Sequence, residues 1–305
     1  MRVAFVTTDW ERVRDEDQDR PLHERACAGV GIDLVHVPWW QADADWQAYD
    51  LVVLRSPWDY SERLEEFLSW LDRVDGVAQL HNPAPVIRWN LDKRYLADLA
   101  AAGVPVVATN FLGSEREVEA ALRERRDAEV VVKPNVSAGS RHTGRFRADD
   151  PAALALARLI LAEGKLVMLQ PCAASVAESG EVSLVYFDGV ASHSFRKGPI
   201  LAAGGGLLGG DYQEAITPVE PTTQHEGVAR AAADAVAEIC SDRFGVHEPL
   251  LYARFDLVRL DDGREALLEA ELFEPSFFLA VDRDAADRFA AALRHRMLSL
   301  DRSTD

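Results

Sequence analysis

Residues 251–276 read LYARFDLVRLDDGREALLEAELFEPS, two apolar runs joined by the turn Asp261-Asp262-Gly263. Aspartate and glycine at such a turn predict a β-hairpin, with strands over Leu251 to Leu260 and Ala266 to Phe273. Side chains alternate along a strand, so Arg254 and Asp256 share one face, as do Glu269 and Glu271. Three carboxylates (Asp256, Glu269, Glu271) on one side of a hairpin repel one another unless a cation lies between them. Oxygen ligands completed by nucleotide phosphates are what Mg²⁺ prefers. An arginine beside them points to an anion in the same place. The plain alternative is a charged solvent face on a half-exposed sheet.

Working outward, the first ninety residues alternate strand and helix. Apolar runs at Val3 to Val6, Leu34 to Val37 and Leu51 to Leu54 read as strands, and Leu64, Phe67, Leu68 and Leu71 recur at helical spacing. That order predicts a parallel sheet flanked by helices, with ligands at the carboxyl ends of the strands. Arg55-Ser56-Pro57-Trp58-Asp59-Tyr60 lies at one such end. His81-Asn82-Pro83-Ala84-Pro85 reads as a turn-rich linker. Helices are expected over Asp92 to Ala102, Glu115 to Arg126, Pro151 to Glu163 and Gly227 to Phe244, with another from near Asp284. Further strands are expected near Val106, at Val130 to Lys133, Leu166 to Leu169, Val182 to Phe187 and Ala191 to Phe195. The expected fold class is α/β and α+β, with boundaries at 1–88, 89–172 and 173–305; a length of 305 residues suits two or three domains.

Composition narrows the function. Lys+Arg 33 against Asp+Glu 51 leaves a net charge of −18, which argues against a general nucleic-acid binder. Cys27, Cys172 and Cys240 are odd in number and lack zinc spacing. No uncharged apolar run reaches 18 residues. A cytoplasmic protein with no membrane partner is expected; the sequence leaves open whether it forms a homodimer. Of the 33 basic residues only Lys93, Lys133, Lys165 and Lys197 are lysines. A GC-rich genome alone would explain the arginine excess; in such a chain a retained lysine is a candidate for a place where a compact ammonium is needed.

Lys133 ends a strand and opens the small-residue loop Pro134 to Ser140, which suits backbone amides near phosphate oxygens. It is not a P-loop, because no Gly-Lys-Ser/Thr follows. An ordinary turn would look the same. The histidines are scattered without metal or triad spacing, and no general base is evident.

Taken in order, these motifs resemble the ATP-grasp ligases, in the form found in glutathione synthetase and ribosomal-protein glutamate ligases. The resemblance implies an N-terminal Rossmann-like domain and two lobes closing on ATP. Asn90-Leu91-Asp92-Lys93 is similar to the first ATP lysine and Lys133 to the second, followed by a nucleotide loop with Ser137, Gly139 and Ser140. Gln170, Pro171 and Cys172 resemble the hinge whose backbone reads adenine, and Glu181 the residue on the ribose. Arg196 and Lys197 match a basic position near phosphates or substrate. Arg254 falls on the transition-state arginine, and Asp256, Glu269 and Glu271 on the ligands of one or two Mg²⁺ ions. Glu271 departs from the asparagine common there.

Arg55 to Tyr60 and Glu271 to Ser276 most resemble the actinobacterial group that forms cycloserine by closing O-ureido-serine, with an antibiotic-biosynthesis role. An ATP-dependent ligase acting on a small amino-acid-like substrate through an acyl phosphate is therefore expected. Arg55 is the expected anchor of a substrate carboxylate, with Asp59, Tyr60 and Ser276 nearby, although an interdomain salt bridge would also account for Arg55. Two alternatives stand beside cyclisation: intermolecular peptide ligation, and an inactive ATP-binding partner module. Replacing Asp256 or Glu269 by its amide is expected to relieve carboxylate crowding. Loops Ser137 to Thr143 and Ala202 to Asp211 are expected to act as lids.

Overall fold

The computed structural model describes residues 1–10, 17–139, 141–173, 175–176, 180–198 and 215–301. Three sheets use consecutive stretches of chain. The first is parallel, in the order β2 (Asp33–Pro38), β1 (Arg2–Thr7), β3 (Leu51–Ser56), β4 (Leu80–His81). The second has the order β5 (Asn110–Leu112), β8 (Val167–Pro171), β6 (Glu129–Pro134), β7 (Gly144–Arg147). The third has the order β11 (Ile216–Pro218), β10 (Val190–Lys197), β9 (Glu181–Phe187), β12 (Tyr252–Arg259), β13 (Glu265–Glu271).

Both faces of the first sheet are buried, which explains its continuous apolar runs. Ala4, Val6, Val52 and Leu54 pack with Trp39, Phe67 and Trp70, the last two on α2 (Leu64–Asp75). Val3, Phe5, Leu51 and Val53 face the other way, into a core shared with Phe187, Phe195 and Tyr252 of the third sheet and Phe289 of the C-terminal helix Ala285–Asp301. The N-terminal layer and the third sheet thus share one hydrophobic interior.

Helix α1 (Arg20–Gly29) covers the same face and was not expected: its sequence, RPLHERACAG, carries only a weak apolar stripe. The expected linker at residues 81–85 instead starts helix α3 (Ala84–Leu91), with Pro85 in its first turn, where a missing amide costs nothing. Helix α4 (Tyr95–Ala101) follows. Val86, Tyr95, Leu96 and Leu99 pack on Val182, Leu184 and Phe255 of the third sheet. By packing, this segment joins the third sheet and not the second. Instead of a strand near Val106 there is an isolated bridge from Val106 to Leu267.

Helices α5 (Glu115–Glu124) and α6 (Pro151–Ala162) cover one face of the second sheet. Helix α7 (Thr223–Phe244) begins four residues before its apolar pattern, because Thr222 and His225 form a reciprocal cap: Thr222 Oγ1 accepts the His225 amide at 3.3 Å and His225 Nδ1 accepts the Thr222 amide at 3.1 Å. Among the described residues no helix is long and apolar enough to cross a membrane.

Candidate active site

The hairpin register matches the period-2 expectation: Asp256 pairs with Glu269 and Arg254 with Glu271. Among the described residues the outer edge of β13 has no partner strand along its second half, and side chains supply the missing bonds. Asn90 Nδ2 donates to Ala270 O at 2.8 Å and Asn90 Oδ1 accepts Leu272 N at 2.8 Å, while Tyr95 Oη accepts Ala270 N at 2.9 Å. Lys93 lies between these two clamps. Its amide donates to Asn135 O at 2.9 Å, which ties it to the loop after Lys133. Its ammonium reaches Glu269 Oε1 at 2.9 Å and Ser137 O at 3.1 Å.

Asp256, 1% exposed, is the hub. Arg254 Nε donates to Oδ1 and Nη2 to Oδ2, both at 2.9 Å; Ser183 Oγ donates to Oδ1 and Lys197 Nζ to Oδ2, both at 2.7 Å. Burial would raise this carboxyl, but Arg254 and Lys197 hold it well below the usual range. Lys197 also pairs with Glu181 at 2.8 Å, and Arg254 with Glu271. The contact of Glu181 and Lys197 depends on Gly180: at φ +69° its backbone passes so close that an added Cβ would lie 1.8 Å from Lys197 O.

Compensation is uneven. Burial pushes against the charge of Glu269, yet Lys93 and Lys133 hold it below its ordinary value. Burial, with Asp256 and Glu269 nearby, raises Glu271 to about 7 despite Arg254. Burial and then Glu271 raise Glu274 to about 8, and Glu274 Oε1 accepts a bond from Tyr60 Oη at 3.0 Å. Lys133 is buried with no ion pair or hydrogen bond among the described residues, and desolvation lowers its pKa. One side of the cluster therefore lacks positive charge, and at Lys133 an ammonium lacks an anion.

The structure places the other expected residues as follows. Among the described residues no three His, Cys, Asp or Glu side chains stand together as a ready-made metal site. The chain's own cations separate the carboxylates, so Asp256 is not crowded and its amide would leave Lys197 and Arg254 undercompensated. Arg196 was expected beside Lys197 at the phosphates. The pleat of β10 turns it to the face of α7, where it acts electrostatically on His225. Arg55 does not open onto the cluster: it is 2% exposed, its guanidinium lies 3.6 Å from the Phe277 ring centroid, and Nη2 donates to Pro275 O at 2.9 Å. Asp59 Oδ1 accepts Trp39 Nε1 at 2.7 Å, inside the N-terminal layer. Ser276 contributes its carbonyl, to Arg254 Nη1 at 2.8 Å.

At the hinge the Cys172 amide is spent on Glu129 O at 3.0 Å and Pro171 has none, because pairing of β8 with β6 runs through these residues. Gln170 Nε2 donates to Thr109 Oγ1 at 2.8 Å. Gly139 is left-handed at φ +59° with open space around it. Its neighbour Ala138 packs on the N-terminal layer, and Arg141 pairs with Glu62 at 3.0 Å, which docks this loop on that layer. Ser140 and the expected second lid, Ala202 to Asp211, lie outside the described residues. Sequence reading missed Ser183 and Glu274 as members of the cluster; their signal was the alternation that places Ser183 opposite Asp256, and the nearness of Glu274 to Glu271.

Comparison with known proteins finds relatives over nearly the whole chain. A family model described as the N-terminal domain of D-cycloserine synthetase DcsG matches residues 3–82. The cycloserine biosynthesis protein DcsG of Streptomyces lavendulae is 41% identical over 290 residues, covering 92% of this chain and 94% of that protein. The crystal structure of D-cycloserine synthetase DcsG superposes with a TM-score of 0.88 at 37% identity, over 97% of this chain and 100% of the other. The D-alanine–D-alanine ligase of Bacillus anthracis complexed with ATP shares the fold, with a TM-score of 0.62 and 12% identity over 100% of both chains.

Proposed function

Since the chain belongs to the cycloserine-synthetase family of ATP-grasp ligases, we propose that it is an ATP- and Mg²⁺-dependent ligase that activates the carboxylate of a small amino-acid-like substrate as an acyl phosphate and closes it on a nitrogen of the same molecule. The observation that carries the nucleotide chemistry is the convergence of Lys93, Lys197 and Arg254 on Glu269 and Asp256, with the unpaired Lys133 beside them. The cyclising step draws its support from the 41% identical relative.

Lys93 and Lys133 would hold the phosphates, and phosphate would supply the anion that Lys133 lacks. Arg254 and Lys197 would stabilise charge on the transferring phosphoryl group. Glu181 is assigned to the ribose and the 170–172 hinge to the base. The donor set fits Mg²⁺: hard oxygen ligands from Glu269, Glu271 and Asp256, with Glu271 raised for want of positive charge. When bound, the ion would neutralise charge on the phosphates. A substrate carboxylate oxygen attacks the γ-phosphorus and the bond to the bridging oxygen breaks, releasing ADP. The nitrogen then attacks the acyl carbon, and phosphate leaves with the electron pair and the proton. Docking of loop Ser137 to Thr143 would keep water from the acyl phosphate. Three free cysteines agree with a cytoplasmic setting.

The test is mass spectrometry of products from ATP, Mg²⁺ and a panel of amino acids, O-ureido-serine among them. A product carrying the atoms of one amino acid supports cyclisation. A product joining two amino acids supports intermolecular ligation, and absence of ADP with every substrate overturns both.

A further inference from the structure

Asp19 stands at the N-cap of α1, where an aspartate ordinarily accepts an amide bond from its own helix. Here no side-chain cap bond forms. The carboxylate, 3% exposed, turns to a backbone turn some 258 residues along the chain. Oδ2 accepts the amides of Phe277 at 2.7 Å and Phe278 at 3.0 Å, and Oδ1 accepts that of Leu279 at 2.7 Å. Phe278 is left-handed, at φ 50° and ψ 50°, a conformation disfavoured for a non-glycine residue. That conformation turns three successive amides toward one anion.

The same segment is gripped further back from the same layer. Arg55 holds Pro275 O, and Trp58 Nε1 donates to Glu274 O at 2.9 Å. Between these grips lies Ser276, whose carbonyl holds Arg254 Nη1. Nε and Nη2 of that guanidinium donate to Asp256, and Nη2 also to Glu271. The Ser276 carbonyl helps fix its tilt through Nη1.

We propose that Asp19 and Trp58 are positioning residues for the ligation: by clamping the segment on either side of Ser276 they fix the carbonyl that aims Arg254. This rests on the assignment of Arg254 to the transferring phosphoryl group. A displacement of about 1 Å at such a group costs on the order of a hundredfold in rate. Ground-state nucleotide binding through Lys93 and Lys133 does not depend on the clamp.

Asp19→Asn keeps the shape of the side chain but sets an amide N–H₂ against a backbone N–H. Trp58→Phe removes one hydrogen bond at the other end and carries the same test should the first variant not fold. Turnover, the Kd of AMPPNP and the coupling of each variant to Arg254→Lys are measured. Expected are a fall in kcat of roughly tenfold or more, a Kd within about twofold of wild type, and double variants no slower than Arg254→Lys alone. Unchanged kcat in both single variants overturns the proposal, and so do losses that multiply in the double variants. Wild-type turnover by Arg254→Lys would instead overturn the assignment of Arg254.

Discussion

Lys93 Nζ lies 2.9 Å from Glu269 Oε1, and Glu269 pairs across the hairpin with Asp256, to which Lys197 and Arg254 are bonded. Two ion-pair groups, Lys93 on Glu269 and Lys197 with Arg254 on Asp256, thus meet at one register position of the hairpin. Charge in the site is balanced by protein cations on one side and left short at Glu271 and Glu274 on the other.

Asp256→Asn should abolish ADP formation and also destabilise the fold by roughly 3–5 kcal/mol, because it leaves two buried cations without their shared carboxylate. Urea unfolding measures the loss. Stability equal to wild type would show that Glu181 and Glu271 suffice to hold Lys197 and Arg254.

Lys133→Ala should raise the Kd for ATP by roughly tenfold or more, the scale of losing a charge-assisted phosphate contact. The melting temperature without nucleotide should not fall, since a desolvated, unpaired ammonium is removed. Among the described residues Lys165 pairs with its near neighbour Glu163, at 3.1 Å, and should tolerate alanine. Calorimetric titration of both variants decides it, and equal losses at both positions would refute the distinction.

Gly180→Ala should be among the most damaging single-methyl changes in the chain. The added carbon meets Lys197 O at 1.8 Å in a backbone conformation already disfavoured for alanine. We expect a lowered melting temperature together with lost turnover, because Glu181 and Lys197 must separate to admit the methyl group. Retention of both would mean that the strand ends can part freely.

His81 and His36 should each withdraw stability as pH falls between about 6.5 and 4, while Glu271 and Glu274, raised by burial to about 7 and 8, act in the opposite sense over the same range. Burial lowers His81 and His36 each to about 4. A histidine that is depressed in the folded state contributes stability that is present above its unfolded pKa and lost as pH falls toward the folded value. The loss amounts to roughly 3 kcal/mol for each when complete. Unfolding free energies of wild type and His81→Gln are compared at pH 7.5 and 5: wild type should lose more, or gain less, stability on acidification than the variant, by up to about 2 kcal/mol. An unchanged slope would mean that His81 is not the group being protonated.

Local pattern carried much of this molecule. The alternation in residues 251–276 led to the hairpin, its register and the shared face of Arg254, Asp256, Glu269 and Glu271, because the strand period is a property of the backbone. Apolar runs at Val3, Leu51 and Val130 located strands for the same reason. Short elements with little apolar content were not legible: β5 and β7 are three and four residues long, and the second contains Arg145 and Arg147. Pro83 and Pro85 read as a linker because the signal for a helix start resembles the signal for a turn.

What the sequence by itself determined, then, was which residue types share a strand face and in what order the cation and carboxylate motifs follow one another. Only tertiary structure decided which charge answers which. Asp19 holds amides some 258 residues away, Arg55 is buried against Phe277, and Lys197 faces Asp256 while Arg196 faces α7. Pairing energies depend on distance and on the water that burial removes. Neither is set by neighbours in the chain; both arise when the first and third sheets close on a common core.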